Sequence, residues 1–316
     1  MEISGFAGYL VLFATFAGVY AVLALGLNLQ WGFAGQFNFG IAAFFAVGAY
    51  TSAILTTPPS PTHLGGFGLP FLLGLAAAAV TSGALALLVG AITIRLRTDY
   101  LAIATIGIAE IVRLFLKNED WLTGGVRGLS GIPKPFADLD GGWPVLIYMI
   151  LVILAVLATY LFLERAISSP WGRVLRATRE NEAGAAAAGK NVNRVRLEAF
   201  VIGSAIMGVA GGLFAHFFSF ISPEAFDPVF ATFLVWIMLV AGGSGNNRGA
   251  VLGAFAIWLV WSGTEILTGR LPADMITQAG AIRVFLVGLM FQVILLLRPE
   301  GILPERPEGH RARPRD

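Results

Sequence analysis

Residues 168–200 read SSPWGRVLRATRENEAGAAAAGKNVNRVRLEAF, the one long polar interruption in the second half of a chain otherwise made of apolar runs and short loops. With Arg165 just ahead, it carries seven basic residues, Arg165, Arg173, Arg176, Arg179, Lys190, Arg194 and Arg196. Ala, Arg, Glu and Leu favour helix, and Ser169-Pro170 puts proline where a first helical turn accepts it. The stretch predicts one or two short helices lying outside a bilayer. Apolar spans hang on either side of it.

Composition agrees. The chain has 316 residues, 57% hydrophobic and only 13% charged, with a mean hydropathy of +0.78. Soluble domains carry about 25% charge. A helical span needs roughly 20 apolar residues to cross about 30 Å of hydrocarbon, whereas barrel strands alternate in polarity, and nothing here alternates. The expectation is an all-α integral membrane protein, a polytopic helical bundle. Cysteine is absent, which excludes disulfides and thiolate metal sites. His63, His216 and His310 are too scattered for a metal cluster, so neither a metal nor another cofactor is expected. The start, MEISGFAGYL, lacks the positive region of a cleavable signal, so the first apolar run is expected to be a retained span. The arginine excess fits cytoplasmic loops better than nucleic acid, and no nucleic-acid partner is expected.

Nine spans are expected, over about 6–27, 41–56, 69–94, 100–116, 143–163, 199–221, 229–241, a run from Gly249 to 267, and 279–297. The amide- and glycine-rich stretch NLQWGFAGQFNFG, residues 28–40, leaves room for a tenth crossing or a re-entrant piece. Putting the basic stretch in the cytoplasm gathers fifteen basic residues on that side, with Arg95, Arg97, Arg248 and the five arginines of the tail. Four (Lys117, Arg127, Lys134 and Arg270) fall outside. Such asymmetry orients a membrane protein and places the C-terminus inside. Residues 1–304 read as a single membrane domain, with the polar segment at 164–198 and a disordered tail at 305–316.

The two halves echo each other. Gly32, Gly35, Asn38 and Gly40 precede the second span as Gly243, Gly245, Asn247 and Gly249 precede the eighth. Non-helical backbone at membrane depth survives only where protein or a wet cavity satisfies it, and paired interruptions point to a transport path. Tight turns with close helix packing would leave the same pattern.

Other motifs are weighed singly. Gly184-Ala-Ala-Ala-Ala-Gly189-Lys190 has the spacing of a phosphate loop, but Asn191 stands where the Mg²⁺-binding hydroxyl belongs and no strand precedes it. The four alanines favour helix. Glu110 and Arg113 lie three apart on one helix face, either a mutually neutralising pair or a functional charge in the membrane. His216 reads as a packed, hydrogen-bonded histidine. Gly208-Val-Ala-Gly-Gly212 signals close helix packing. No hydrolase, metalloprotease or clustered His/Asp constellation emerges, so the chain is not expected to be an enzyme.

Four stretches then carry a family likeness: LNLQWGFAGQFNFGIAAFFAVGAYTSAIL (27–55), TDYLAIATIGIAEIVRL (98–114) with TGGVRGLSGIP (123–133), SPWGRVLRATRENEAGAAAAGKNVNRVRLEAFVIGSAIMGVAGGLFA (169–215), and GGSGNNRGAVLGA (242–254). In this order they resemble the branched-chain amino-acid ABC permeases of the LivM type, a superfamily shared with urea and ribose permeases. The likeness spans residues 27–301. It implies a subunit of an importer in a bacterial or archaeal cytoplasmic membrane. Its implied partners are a second homologous permease, two cytoplasmic ATPase subunits and an external substrate-binding protein. It makes the polar stretch the element that docks on the ATPase, through Gly172, Arg176, Glu180, Glu182 and Gly189. A path for a small zwitterion with an apolar side chain suits a few dipoles in an apolar wall. Asn28, Gln30, Gln36, Asn38, Glu110 and Asn247 are the candidates. Urea or a short amide is the nearest alternative substrate. An ion-coupled secondary carrier would use Glu110 and His216 but leave the polar segment idle.

Overall fold

The computed structural model describes residues 5–59, 63–96, 98–137, 139–268, 276–298 and 300–305. Helix α1 (Gly5–Leu27) continues into a π-helical turn, Asn28–Phe33, and then unwinds before α2 (Ile41–Thr56). Helices α3 (Phe71–Thr93) and α4 (Thr98–Asn118) follow, then one turn, α5 (Asp120–Thr123), and strand β1 (Leu129–Ser130). Helix α6 (Trp143–Ser168) leads into the polar segment, α7 (Pro170–Glu180) and α8 (Glu182–Ala187). Helix α9 (Val192–Phe218) runs back through the bundle to strand β2 (Phe220–Ile221). A second π-helical turn, Val229–Phe233, opens α10 (Leu234–Gly242), and α11 (Asn247–Thr268) and α12 (Ile276–Leu297) complete the order.

By length and composition, five helical stretches of the described residues suffice to cross a membrane: Gly5–Phe33, Phe71–Thr93, Trp143–Ser168, Val192–Phe218 and Gly280–Leu297. Ile41–Thr56 and Ala231–Gly242 are apolar but shorter. The first follows the unwound stretch after Phe33, and the second ends at the glycine-rich turn before α11. The all-α, polytopic class holds, and the one β-element is the two-residue pairing of Leu129 with Ile221 and Ser130 with Phe220.

Helix α9 is the hub, packed chiefly on α2 and α3 and also on α1. Its small residues make this possible. A β-carbon at Gly211 would lie 2.1 Å from the Phe45 carbonyl oxygen, and one at Gly208 would lie 2.3 Å from Ser82 Oγ. Ser82 in turn donates to the Phe44 carbonyl at 2.9 Å, so three helices close at one level. The outer helices keep their large apolar groups outward. Leu72 and Ile92 on α3, Ile103 and Ile111 on α4, Leu154 on α6, and Phe285 and Leu297 on α12 are all exposed. That surface suits hydrocarbon or a second apolar protein face, not water.

Several expected boundaries shift for identifiable reasons. Helix α9 begins at Val192 rather than 199, because Asn191 Oδ1 accepts from the Arg194 amide at 3.1 Å and Arg194 pairs with Glu198 one turn on at 2.8 Å. Capping and an i,i+4 pair start a helix before its apolar run does. It also ends earlier, at Phe218, with Ser219 in the left-handed region at φ 58°; Ile221 belongs to β2. The tail was expected to be disordered from residue 305, yet Glu305 is bound to Arg179 at 2.8 Å. Residues 306–316 lie outside the described residues, as does Arg270.

Candidate functional site

The polar segment is built as its composition dictates. Pro170 sits in the first turn of α7, Ser169 before it is extended, and Asn181 (φ −150°, ψ 93°) separates α7 from α8. Asn181 Oδ1 then accepts from the Gly184 amide at 2.8 Å, capping α8. The four alanines fall in or just after that helix, and Gly189 follows at φ +75° with open space around it. No phosphate-cradling loop forms over Gly184–Lys190.

The five docking candidates do not share one environment. Glu180 and Glu182 are exposed, at 71% and 59% of the side chain, and Gly189 is exposed too. Arg176 is half-buried and reaches the Ile167 carbonyl at 3.4 Å. Gly172 is buried, and a β-carbon there would lie 2.1 Å from the Ile167 carbonyl oxygen. It serves the corner between α6 and α7 within this chain.

The two interruptions meet. A β-carbon on Gly32 would lie 2.4 Å from the Gly245 nitrogen, so the first break rests directly on the second. Asn28 Oδ1 accepts from the Gly245 amide at 2.8 Å, and Asn28 Nδ2 donates to Asn247 Oδ1 at 2.9 Å. Asn247 Nδ2 continues to Glu164 Oε1 on α6 at 3.0 Å. The echo between the halves is therefore a contact.

The other amides brace the first interruption against α9. Gln30 Nε2 donates to the Phe200 carbonyl at 2.8 Å and lies 3.0 Å from Ser204 Oγ, and Gln30 Oε1 accepts from Asn38 Nδ2 at 2.8 Å. Asn38 Oδ1 accepts from the Gly40 amide at 2.7 Å, and the Asn38 carbonyl accepts from Trp236 Nε1 at 3.0 Å. Gln36 Nε2 donates to the Arg196 carbonyl at 2.6 Å, while Gln36 Oε1 is buried without a partner. Asn28, Gln30, Gln36 and Asn38 are wholly buried and Asn247 is 2% exposed. Backbone freed by the break is satisfied further by Thr105 Oγ1, accepting from the Phe39 amide at 3.0 Å, and by Thr232 Oγ1, accepting from the Ala42 amide at 3.2 Å. Four aromatic rings cover this seam. Phe39 stacks on Trp236 with centroids 5.0 Å apart, and Phe37 lies 4.7 Å from Trp31 and 4.8 Å from Trp236.

Glu110 stands apart from this junction. It takes a two-pronged pair from Arg113, Nε to Oε2 at 2.9 Å and a terminal nitrogen to Oε1 at 2.7 Å. Glu224, in the turn between β2 and the second π-helical turn, pairs with Lys117 of α4 at 3.0 Å. His216 is fully buried, with Ser52 Oγ at 2.9 Å from Nε2 and the Pro133 carbonyl at 2.7 Å from Nδ1. Since the carbonyl can only accept, Nδ1 carries a proton. Both contacts are structural: they fasten the glycine-rich loop to α2 and α9. Sequence reasoning missed Ser204, Thr105, Thr232, Trp236, Glu164 and Glu305. The hydroxyls and the tryptophan carry no local signature, because their partners lie tens to hundreds of residues away.

An all-α bundle in which the unwound stretch after α1 meets the turn between α10 and α11, with a polar two-helix segment beside them, suits a transport protein. A family model described as the branched-chain amino acid transport system permease component matches residues 9–295. The chain belongs to that family. It is 33% identical to the high-affinity branched-chain amino acid transport system permease protein LivM of Salmonella typhimurium, over 93% of this chain and 70% of that one. It is 30% identical to the probable branched-chain amino acid transport permease protein LivM of Methanocaldococcus jannaschii, over 92% of both. With the permease protein LivH of Escherichia coli strain K12 it shares 27%, over 93% of this chain and 94% of that one. No solved structure matches.

Proposed function

We propose that this chain moves branched-chain, apolar amino acids into the cell as one permease of a two-permease ABC importer. Two cytoplasmic ATPases power it through α7 and α8, an external binding protein delivers the substrate, and the C-terminus lies in the cytoplasm. The observation that carries this reading is the meeting of two helix interruptions at one buried polar junction, with the exposed carboxylates Glu180 and Glu182 on the polar segment leading away from it.

The amides are sealed and hydrogen-bonded to protein, so in this conformation they support the path and do not line it. The half-buried rings Trp31, Phe37 and Phe39 beside them offer an apolar wall suited to a leucine-like side chain. Asn247 joins the two supports, and Glu110, in its own ion pair, stiffens α4 on the opposite flank.

The experiment is uptake of labelled leucine and labelled urea by vesicles holding the full assembly. Uptake of leucine, dependent on internal ATP and indifferent to an uncoupler, is the expected result. Uptake that stops when the proton gradient collapses at constant ATP would mean a secondary carrier. Preference for urea would move the chain to the other substrate class.

A further inference from the structure

Arg179, on the last turn of α7, reaches both interruptions at once. One terminal nitrogen donates to the Gly32 carbonyl oxygen, in the π-helical turn of the first. The other donates to both Glu305 oxygens, at 2.8 and 3.0 Å. Its aliphatic stem lies on Gly35, which has φ +67° and whose β-carbon would be 3.0 Å from Arg179 Cγ. Glu305 does the same on the other side. Gly245 has φ +78°, and a β-carbon there would lie 2.8 Å from the Glu305 carboxyl carbon. In each interruption a glycine of positive φ thus seats one half of a single ion pair.

Glu305 is itself anchored. The Ile302 amide donates to the Ala241 carbonyl and the Leu303 amide to the Gly242 carbonyl, both at 2.9 Å. Asn246 Nδ2 lies 3.1 Å from the Pro304 carbonyl. Residues 301–305 are therefore a strap laid along the second interruption, ending in the carboxylate that Arg179 holds. Beside it lies a cavity of about 480 Å³ lined by Gly35, Arg95, Asp99, Thr178, Arg179 and Arg196, among others. That is room for the Arg179 side chain to leave its seat.

We propose that Arg179 is the positioning residue that carries movement of α7 into the junction, and that the Arg179–Glu305 pair is a clasp holding the two interruptions shut. Pulling α7 away withdraws the guanidinium from Gly32 and Glu305 together, freeing both breaks to part. The inference rests on the reading of α7 and α8 as the ATPase contact. It adds the route by which that contact acts.

Because the chain lacks cysteine, Arg179→Cys/Glu305→Cys can be joined by a short, reducible bifunctional thiol reagent in the complete transporter. Joining should lower ATP-driven leucine uptake by at least about tenfold, within the range of ordinary site-to-site coupling, with the ATPases still co-purifying. Reduction should restore uptake to the level of the unjoined variant. Uptake unchanged by joining would overturn the clasp. Glu305→Gln, which keeps the shape and removes the charge, should raise ATP hydrolysis in the absence of substrate at an unchanged thermal midpoint. Hydrolysis at the wild-type level would also count against the clasp. The coupling reading is judged separately, by Glu180→Lys/Glu182→Lys. Normal co-purification and stimulation of the ATPases by that variant would remove the reading whatever the clasp does.

Discussion

The two interruptions solve one problem with different chemistry. A helix broken inside a bilayer must find partners for its freed amides and carbonyls. The first break, after the π-helical turn that ends at Phe33, is tied to its neighbours by side chains: Asn28, Gln30, Gln36 and Asn38 turn inward, wholly buried, onto α9, onto α11 and onto each other. The second, at Gly242–Gly249, is also held by backbone, as the strap donates to the Ala241 and Gly242 carbonyls. Its own half-buried Asn246 ties the strap down through Nδ2 and caps the start of α11 through Oδ1, which accepts from the Arg248 amide at 3.0 Å. Side-chain amides make a rigid, fully enclosed joint, since each unsatisfied buried partner is costly. A strap of backbone at the surface can lift.

The largest effect should come where the two touch. Gly32→Ala would drive a β-carbon into the Gly245 backbone and Asn28 Oδ1. Overpacking costs about 1–3 kcal/mol, and a lost buried amide bond adds about 1–3 kcal/mol. Thermal unfolding in detergent should show a large fall or no folded protein. Gly107→Ala, inside α4 with open space around it, should instead stabilise by about 0.5–1 kcal/mol.

Gln30→Ala should come next. It strands the Phe200 carbonyl, Ser204 Oγ and Asn38 Nδ2, each worth about 1–3 kcal/mol when buried and unpaired. Asn246→Ala, which removes the cap of α11, should cost about 1 kcal/mol. Equal losses in the two variants would erase the contrast drawn above.

Accessibility sharpens it further. Asn246→Cys should react with an impermeant maleimide from the cytoplasmic side, whereas Gln36→Cys, buried under Arg196, should stay unlabelled until the protein unfolds. Ser130→Cys, exposed in β1, should label only from outside. Labelling of Asn246→Cys and Ser130→Cys from one side would break the assigned orientation.

The smallest effect belongs to the exposed pair at the far end. The Lys117 hydrogen bond, with its charge and that of Arg113, holds the Glu224 carboxyl below its usual value. A lowered carboxylate value gives stability that is present above the unfolded-state value and lost as pH falls through the folded one. Glu224→Gln should therefore lower the thermal midpoint only slightly at neutral pH. Variant and wild type should converge as pH drops below the ordinary carboxylate range.

The sequence alone determined the class. Apolar runs long enough to span, few charges and one basic interruption dictate a polytopic helical bundle, since hydrocarbon admits no other partner for the backbone. Local chemistry also set the polar segment: Pro170 starts α7, the alanines stay helical, and Gly189 ends the element. The glycine and asparagine echo was visible as a pattern, but whether it meant separate turns or a meeting of the halves was not. Only tertiary structure brought Gly32 onto Gly245, buried Asn28 and Gln30 among hydrogen-bond partners, and seated Arg179 and Glu305 on their two glycines. Those contacts join residues 60 to 219 positions apart. Pairings at such separations have no local propensity to betray them, and they exist only once the helices that carry them are packed.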